Sequence, residues 1–228
     1  MPNIVKNTTF FNPLDLIAPH SCRGCGALGN ILCDRCKKYI IDCHQAICPN
    51  CKAKLENPNC PHCHDLPPIY VIGKRADLDG DLVHDLKYKS IRSIASSLAE
   101  VISQILPSPS CLTGIIPLPT ISSHIRVRGL DHTLLIAKHL AKSHPNYQVK
   151  QLLIRAGNTV QVGANAKTRL SQATSAYKIN PKVSIDPTIH YLLLDDVWTT
   201  GASMTAAVNI LQQAGAANLS SVIIALSE

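Results

Sequence analysis

The sequence of 228 residues lacks any apolar run long enough to cross a bilayer, so we expect no membrane span. It is also poor in aromatic residues, which make up 4% of the chain and leave little for stacking on nucleic-acid bases. Residues 1–12 lack the basic and then apolar layout of a signal peptide, so we expect a cytoplasmic protein. A hydrophobic content of 46% is sufficient for one ordinary domain and a smaller one.

Cysteine, in contrast, is abundant: the chain has ten, and all but Cys111 lie between Cys22 and Cys63. In a cytoplasmic protein such cysteines are thiols or metal ligands rather than disulfides. Two cysteines separated by two residues can direct both sulfurs at one metal ion, so four such pairs predict two tetrahedral four-cysteine zinc sites. The four pairs are Cys22 with Cys25, Cys33 with Cys36, Cys48 with Cys51, and Cys60 with Cys63.

The spacing leaves the composition of each zinc site open. Sequential pairing of the cysteine pairs is the simplest arrangement, interleaved pairing is possible, and a single zinc site or a redox dithiol are alternatives. Four thiolates leave no open coordination position, so we expect structural ions. We expect Cys111 to be a small buried core thiol. Nearby residues that could replace a ligand, but that we expect to be bystanders, are Cys43, His44, His62 and His64.

The net charge is a weak guide to the partner. The formal value of +7 favours an anionic partner. Two zinc ions bound by eight thiolates would lower that value to about +3. The basic composition is therefore poor evidence for nucleic-acid binding.

A proline-containing stretch at residues 65–68 marks the expected domain boundary. We predict a zinc-ribbon domain over residues 1–66 and a second domain over residues 67–228. Strands alternate with helices in the second domain, which predicts a mainly parallel sheet flanked by helices. The predicted strands are residues 69–75, 111–117, 149–154, 191–194 and 219–226, and the predicted helices are residues 79–88, 91–106, 129–143 and 202–213. Residues 155–174 are predicted to be a long polar loop of the kind that is often functional.

The most informative stretch begins at the predicted strand 191–194, which is apolar on both faces like a buried parallel strand. Asp195 and Asp196 follow it, at the edge where open α/β sheets bind ligands. The next loop is rich in hydroxyls and leads into a helix, whose first amides suit a phosphate. Two carboxylates suit the hydroxyls of a ribose, or a magnesium ion that accompanies the phosphate. The alternative is a capped helix with two solvated aspartates.

This stretch resembles the signature of type I phosphoribosyltransferases, which bind phosphoribosyl pyrophosphate (PRPP). The resemblance implies a phosphoribosyltransferase-like fold for the second domain and PRPP bound with Mg²⁺. It also implies that Asp195 and Asp196 contact the ribose. The residues that would hold the 5-phosphate are Thr199, Thr200, Gly201, Ala202 and Ser203.

Nearly the whole chain is similar to the ComF family, in which a cysteine-rich domain is fused to a phosphoribosyltransferase-like domain. Members act in natural competence, the import and processing of transforming DNA. The family usually reads Arg-Gly-Phe-Asn-Gln where this chain has Arg128, Gly129, Leu130, Asp131 and His132. The matching features are the cysteine pairs, Leu86-Lys87-Tyr88, residues 116–119, Arg126 with Arg128, Arg155 with Thr159 and Gln161, Arg169-Leu170, and residues 195–203.

A pyrophosphate carries more charge than one loop can neutralise, so the site needs nearby cations. We favour Lys87 and Arg128 as pyrophosphate contacts over their alternative role as solvated surface charges. His124 and His132 are expected to be surface residues. The matched motifs contain no evident general base, so no catalytic residue is assigned.

Three functions of different classes follow. The first is a competence protein that binds PRPP and handles single-stranded DNA. The second is an active phosphoribosyltransferase of nucleotide metabolism, in which magnesium and cations would stabilise the leaving pyrophosphate. The third is a partner-binding module whose zinc domain docks a competence helicase. Binding assays with PRPP and with a labelled single strand would separate them.

Overall fold

The computed structural model describes residues 20–56, 60–63, 67–156 and 176–227, and elements are numbered within these ranges. The helices are α1 (Asp34–Cys43), α2 (Leu78–Tyr88), α3 (Ser93–Ile105), α4 (Ser122–Arg128), α5 (His132–Leu140) and α6 (Ala202–Gln213). The strands are β1 (His20–Ser21), β2 (Leu28–Gly29), β3 (Gln45–Ile47), β4 (Lys54–Leu55), β5 (Ile69–Lys74), β6 (Thr113–Pro117), β7 (Tyr147–Val149), β8 (Leu153–Arg155), β9 (Tyr177–Ile179), β10 (His190–Trp198) and β11 (Asn218–Leu226). None of the helices described is both long and apolar enough to span a membrane.

A seven-stranded sheet, in the order β4-β3-β5-β11-β10-β6-β7, forms the centre of the fold. Five neighbouring strands, from β5 to β7, run parallel, and β3 and β4 are antiparallel additions at one edge. The predicted mixed α/β fold with a mainly parallel sheet is confirmed. Central strands of such a sheet are covered on both faces, which is why they are apolar throughout.

Strand β10 shows how the two faces are filled. Leu192 and Leu194 belong to the core between the sheet and α2, α3 and α5, whereas Tyr191 and Leu193 belong to the core under α6. Alternate side chains of a strand point to opposite faces, so one apolar run supplies both cores. β6 ends at Pro117 opposite Leu194, and β10 therefore continues beyond its neighbour.

The cysteine-rich segment is joined to the rest of the fold by pairing and packing. β3 pairs with β5, with Ala46 opposite Tyr70. Ile40 of α1 is buried in the same core as residues of α3, and the Lys37 ammonium lies 2.5 Å from a carboxylate oxygen of Glu100. The domain boundary after residue 66 stays a prediction, and β3 and β4 extend the central sheet across it.

Several predicted elements need correction. The predicted strand 149–154 is two strands: β7 lies in the central sheet and β8 pairs with β9 in a separate antiparallel hairpin. The predicted helix 129–143 is shorter, because Gly129 ends α4 in the left-handed region at φ 71° and Asp131 caps α5. Cys111, expected in the core, is exposed. Most of the predicted polar loop, residues 157–174, lies outside the described residues.

Candidate functional site

The paired cysteines form two groups in chain order. In each group the four sulfurs lie within 4.8 Å of one another: Cys22, Cys25, Cys33 and Cys36 in the first, Cys48, Cys51, Cys60 and Cys63 in the second. Sulfurs about 2.3 Å from a tetrahedral zinc ion would be roughly 3.8 Å apart. The Cys25–Cys33 sulfur distance is 3.6 Å and the Cys51–Cys60 distance is 3.5 Å. The predicted two four-cysteine groups are confirmed, their pairing is sequential, and they could hold two structural zinc ions.

The first turn of each group is built in the same way. The amide of Cys22 donates to the carbonyl of Ala27 at 2.8 Å, and the amide of Cys48 donates to that of Ala53 at 2.9 Å. The residue after the first cysteine pair of each group has a positive φ, 75° at Gly26 and 58° at Lys52. This repeated turn places two sulfurs on one side of the chain, as a zinc knuckle requires.

The acidic pair lies inside β10 rather than after it, because β10 extends to Trp198. Asp195 and Asp196 are consecutive in the strand, so their carboxylates point to opposite faces of the sheet. Asp195 is half-buried, and Asp196 is 7% exposed. The two aspartates therefore occupy different environments.

Asp196 is held by two partners. The Lys87 ammonium of α2 lies 2.6 Å from its carboxylate, and His132 of α5 donates a hydrogen bond from Nε2 to the same oxygen. Burial alone would raise the pKa of Asp196, but the His132 hydrogen bond and the Lys87 charge outweigh it and hold the pKa below its usual range. For Asp195, burial and then the neighbouring Asp196 charge raise the pKa above its usual range. One aspartate is thus a fixed anion, and the other is more easily neutralised.

His132 is a functional candidate that sequence reasoning missed. It was expected at the surface, but it is only 3% exposed. The side chain of Asp131 caps α5 by accepting from the amide of Leu134 at 3.1 Å, and the hydroxyl of Thr133 donates to the carbonyl of Leu118 at 3.0 Å. These bonds fix the start of α5 against the sheet, and His132 follows directly. Asp131 as an N-cap was the signal in the sequence that places His132 at the first helical position.

The loop after β10 is a tight turn into α6. Gly201 has φ 78°, and a Cβ built on it would lie 2.2 Å from the ring of Trp198. Thr199 and Thr200 are exposed, and Asp195 lines one small pocket together with the loop from Thr199 to Ser203. Of the predicted ribose and phosphate contacts, the structure brings Asp195 and the five loop residues together. Asp196 is turned to the other face.

We expect Gly201→Ala to lower the free energy of unfolding by about 1–3 kcal/mol, since it adds backbone strain to a clash with Trp198. Denaturant unfolding of the variant measures this. Gly26→Ala is a useful comparison, because that glycine also has a positive φ but a Cβ added to it would meet no described atom within 4 Å. An equal loss in both variants would show that the Trp198 contact contributes nothing.

The cations near the acidic pair have different partners. Lys87 lies at Asp196, as described. Arg128 lies instead against Tyr88, with its guanidinium 5.0 Å from the ring centroid. Arg155 donates to the carbonyl of Pro119 at 3.0 Å and lies over the ring of Tyr177. Burial, followed by the charges of Arg128, Arg155 and Lys87, lowers the pKa of His124. Positive charge is therefore concentrated around this end of the sheet, and the roles of Lys87 and Arg128 toward pyrophosphate stay predictions.

No family model matches the chain. Curated proteins that are similar to it include the DNA utilization protein YhgH of Salmonella typhimurium (strain LT2) and that of Salmonella typhi. Each is 24% identical over 201 residues, which cover 82% of this chain and 87% of the relative. The likeness spans most of both chains at low identity, and the ComF resemblance stays a prediction.

A larger cavity, about 600 Å³, lies at the other end of the strands, where β5, β6, β10 and β11 begin. Its lining includes Tyr70, the exposed Cys111 and His190. None of the lining residues is an aspartate, glutamate, lysine or arginine. Open parallel sheets bind ligands at the carboxyl ends of their strands. The predicted site for a charged ligand is therefore kept at Asp195, although the cavity there is smaller.

Proposed function

We propose that this protein serves DNA uptake or utilization and binds PRPP with magnesium at the carboxyl end of β10. The observation that carries the site is the single pocket shared by Asp195 and the loop from Thr199 to Ser203. The similarity to proteins named for DNA utilization supports the cellular role. The ComF resemblance joins the two, because it links competence to a phosphoribosyltransferase-like site.

In this proposal the loop binds the 5-phosphate. The first amides of α6 and the hydroxyls of Thr199, Thr200 and Ser203 are donors at a helix N-terminus, where the helix dipole favours an anion. Asp195 accepts hydrogen bonds from the ribose hydroxyls on the same side of the strand. Both roles, phosphate binding by the loop and ribose binding by Asp195, use groups that already line one pocket.

Pyrophosphate would bind on the side of Lys87. In the structure the Lys87 ammonium neutralises Asp196, so a pyrophosphate that attracts Lys87 leaves Asp196 with the His132 hydrogen bond alone. The freed carboxylate can then help to hold magnesium, which prefers oxygen ligands and accompanies phosphates. Ligand binding at this site is therefore an exchange of partners around Asp196.

Asp195→Ala should weaken PRPP binding by about tenfold or more, because hydrogen bonds to a charged group contribute about 1.5–3 kcal/mol each. Calorimetry with PRPP and magnesium measures the affinity. Asp186→Ala is the control: this exposed aspartate lies just before the amino end of β10. If Asp195→Ala binds PRPP as the unaltered protein does, the ribose is not held at this strand.

Replacing Asp195 and Asp196 together would be a poor test, because it would also remove a buried carboxylate that is hydrogen-bonded within the fold. The single Asp195→Ala variant is therefore the cleaner test of ligand binding.

A further inference from the structure

Tyr88, the last residue of α2, is unusual for this chain. Its side chain is 63% exposed, in a protein with few aromatic residues. His84, one helical turn earlier, lies with its ring centroid 4.9 Å from that of Tyr88. On α4, the Arg128 guanidinium lies 5.0 Å from the Tyr88 centroid and donates to its hydroxyl oxygen at 3.4 Å. Three flat groups thus form an exposed row, which we name the Tyr88 row.

The surface around the Tyr88 row is cationic. Arg126 is exposed on α4, and Val127 beside it is 87% exposed. The carboxylate of Asp85 does not offset this charge, because Arg23 and Lys89 lie 2.9 and 2.7 Å from it. The hydroxyl of Ser90 donates to the carbonyl of Arg128 at 3.4 Å, which ties the end of α2 to α4. The row therefore belongs to one surface shared by two helices.

We infer that the Tyr88 row is a stacking platform for single-stranded nucleic acid, an inference that rests on the DNA role proposed above. Unpaired bases stack on aromatic rings and on the flat guanidinium of arginine, and lysines and arginines nearby bind the phosphates. Bases within a duplex are already stacked, so the flat groups favour a single strand. Arg126 is exposed on the same helix as Arg128, and in this proposal it supplies a phosphate contact.

The platform adjoins the PRPP site, and Arg128 is both a member of the row and a predicted pyrophosphate contact. Lys87 and Tyr88 are neighbours on α2, but Lys87 points inward to Asp196 while Tyr88 is exposed. The low aromatic content of the whole chain does not oppose stacking, because stacking needs aromatic rings only at the place where the bases lie.

The test is binding of a fluorescently labelled oligothymidylate, measured by anisotropy at several salt concentrations. Tyr88→Ala should weaken binding at least about fivefold, the lower end for loss of one base stack. Its slope of log affinity against log salt should not change, because no phosphate contact is lost. Arg126→Ala should weaken binding and also reduce that slope by about one. Tyr88→Phe, which retains the ring, should bind like the unaltered protein.

Tyr39 of α1 provides the matched control, since it is also an exposed tyrosine, at 66%, but lies in the cysteine-rich segment. Tyr39→Ala should leave binding unchanged, and an equal loss there would overturn the platform.

If the unaltered protein binds the strand and Tyr88→Ala binds equally well, the strand lies elsewhere and the DNA role stands. If the unaltered protein does not bind the strand at all, both the platform and single-strand handling are wrong, while PRPP binding is tested separately. Salt-independent capture of a protein by the row, with no strand binding, would mark it as a protein-docking surface instead.

Discussion

Removal of zinc should unfold the cysteine-rich segment, residues 20–63. This segment buries few large side chains of its own, among them Leu32, Ile40 and Ile47, so we expect metal to supply much of its stability. Binding of structural zinc contributes roughly 10–16 kcal/mol in zinc-finger peptides, which is far more than so small a core provides. Metal analysis of fresh protein should give about two zinc ions per chain, and chelation should expose the segment to protease.

The structure refines what chelation should do to the rest of the chain. Because β3 pairs with β5 and Ile40 packs in the core of α3, loss of the segment should also lower the melting temperature of the remaining sheet. Cys48→Ser should reproduce the loss, and Cys111→Ser, at an exposed cysteine outside both groups, should not. Less than about half an equivalent of zinc in fresh protein would contradict the metal sites.

Lys87→Ala should cost about 3 kcal/mol of folding free energy, the lower end for a broken buried ion pair, because Asp196 loses its lysine counterion but keeps the His132 hydrogen bond. The ammonium and carboxylate side chains are 16% and 10% exposed, so solvent can replace little of the interaction. Adding Asp196→Asn to Lys87→Ala should recover much of the loss, since the buried charge is then removed with its partner. Denaturant unfolding of the two variants measures the difference.

Lys89 is a matched control just after the same helix. It also forms an ion pair, 2.7 Å from Asp85, but its side chain is 56% exposed. Exposed pairs contribute about 0–1 kcal/mol, so Lys89→Ala should be nearly neutral. If the Lys87 and Lys89 variants lose similar stability, the Asp196 pair is not a buried ion pair in solution.

The sequence predicted those elements whose pattern is long and regular. The predicted helix over residues 202–213 coincides with α6, and the predicted strand over residues 219–226 differs from β11 by one residue. The cysteine pairs predicted two metal groups, since tetrahedral ligation restricts their spacing. For α6, β11 and the cysteine pairs, the residue types that the local pattern favours are also those that the tertiary fold needs at the same positions.

The unpredicted features depend on contacts between distant parts of the chain. β3 and β4 have three and two residues, too short for an alternating pattern, and they exist because β5 offers an open edge. The His132 contact with Asp196 joins residues 64 apart in sequence. The burial of Asp196 could not be predicted, because the sequence does not show that α2 and α5 cover that face of β10.

Titration calorimetry of PRPP into the unaltered protein, with and without magnesium, tests the proposed site most directly. The site predicts one saturable binding event that requires magnesium and that PRPP supports far better than ribose 5-phosphate, which lacks the pyrophosphate that draws Lys87 from Asp196. Prior addition of the labelled oligothymidylate should leave this event detectable, because the Tyr88 row and the loop from Thr199 to Ser203 are separate surfaces. Absence of saturable binding with magnesium present, in protein that carries its zinc, would contradict the proposed site.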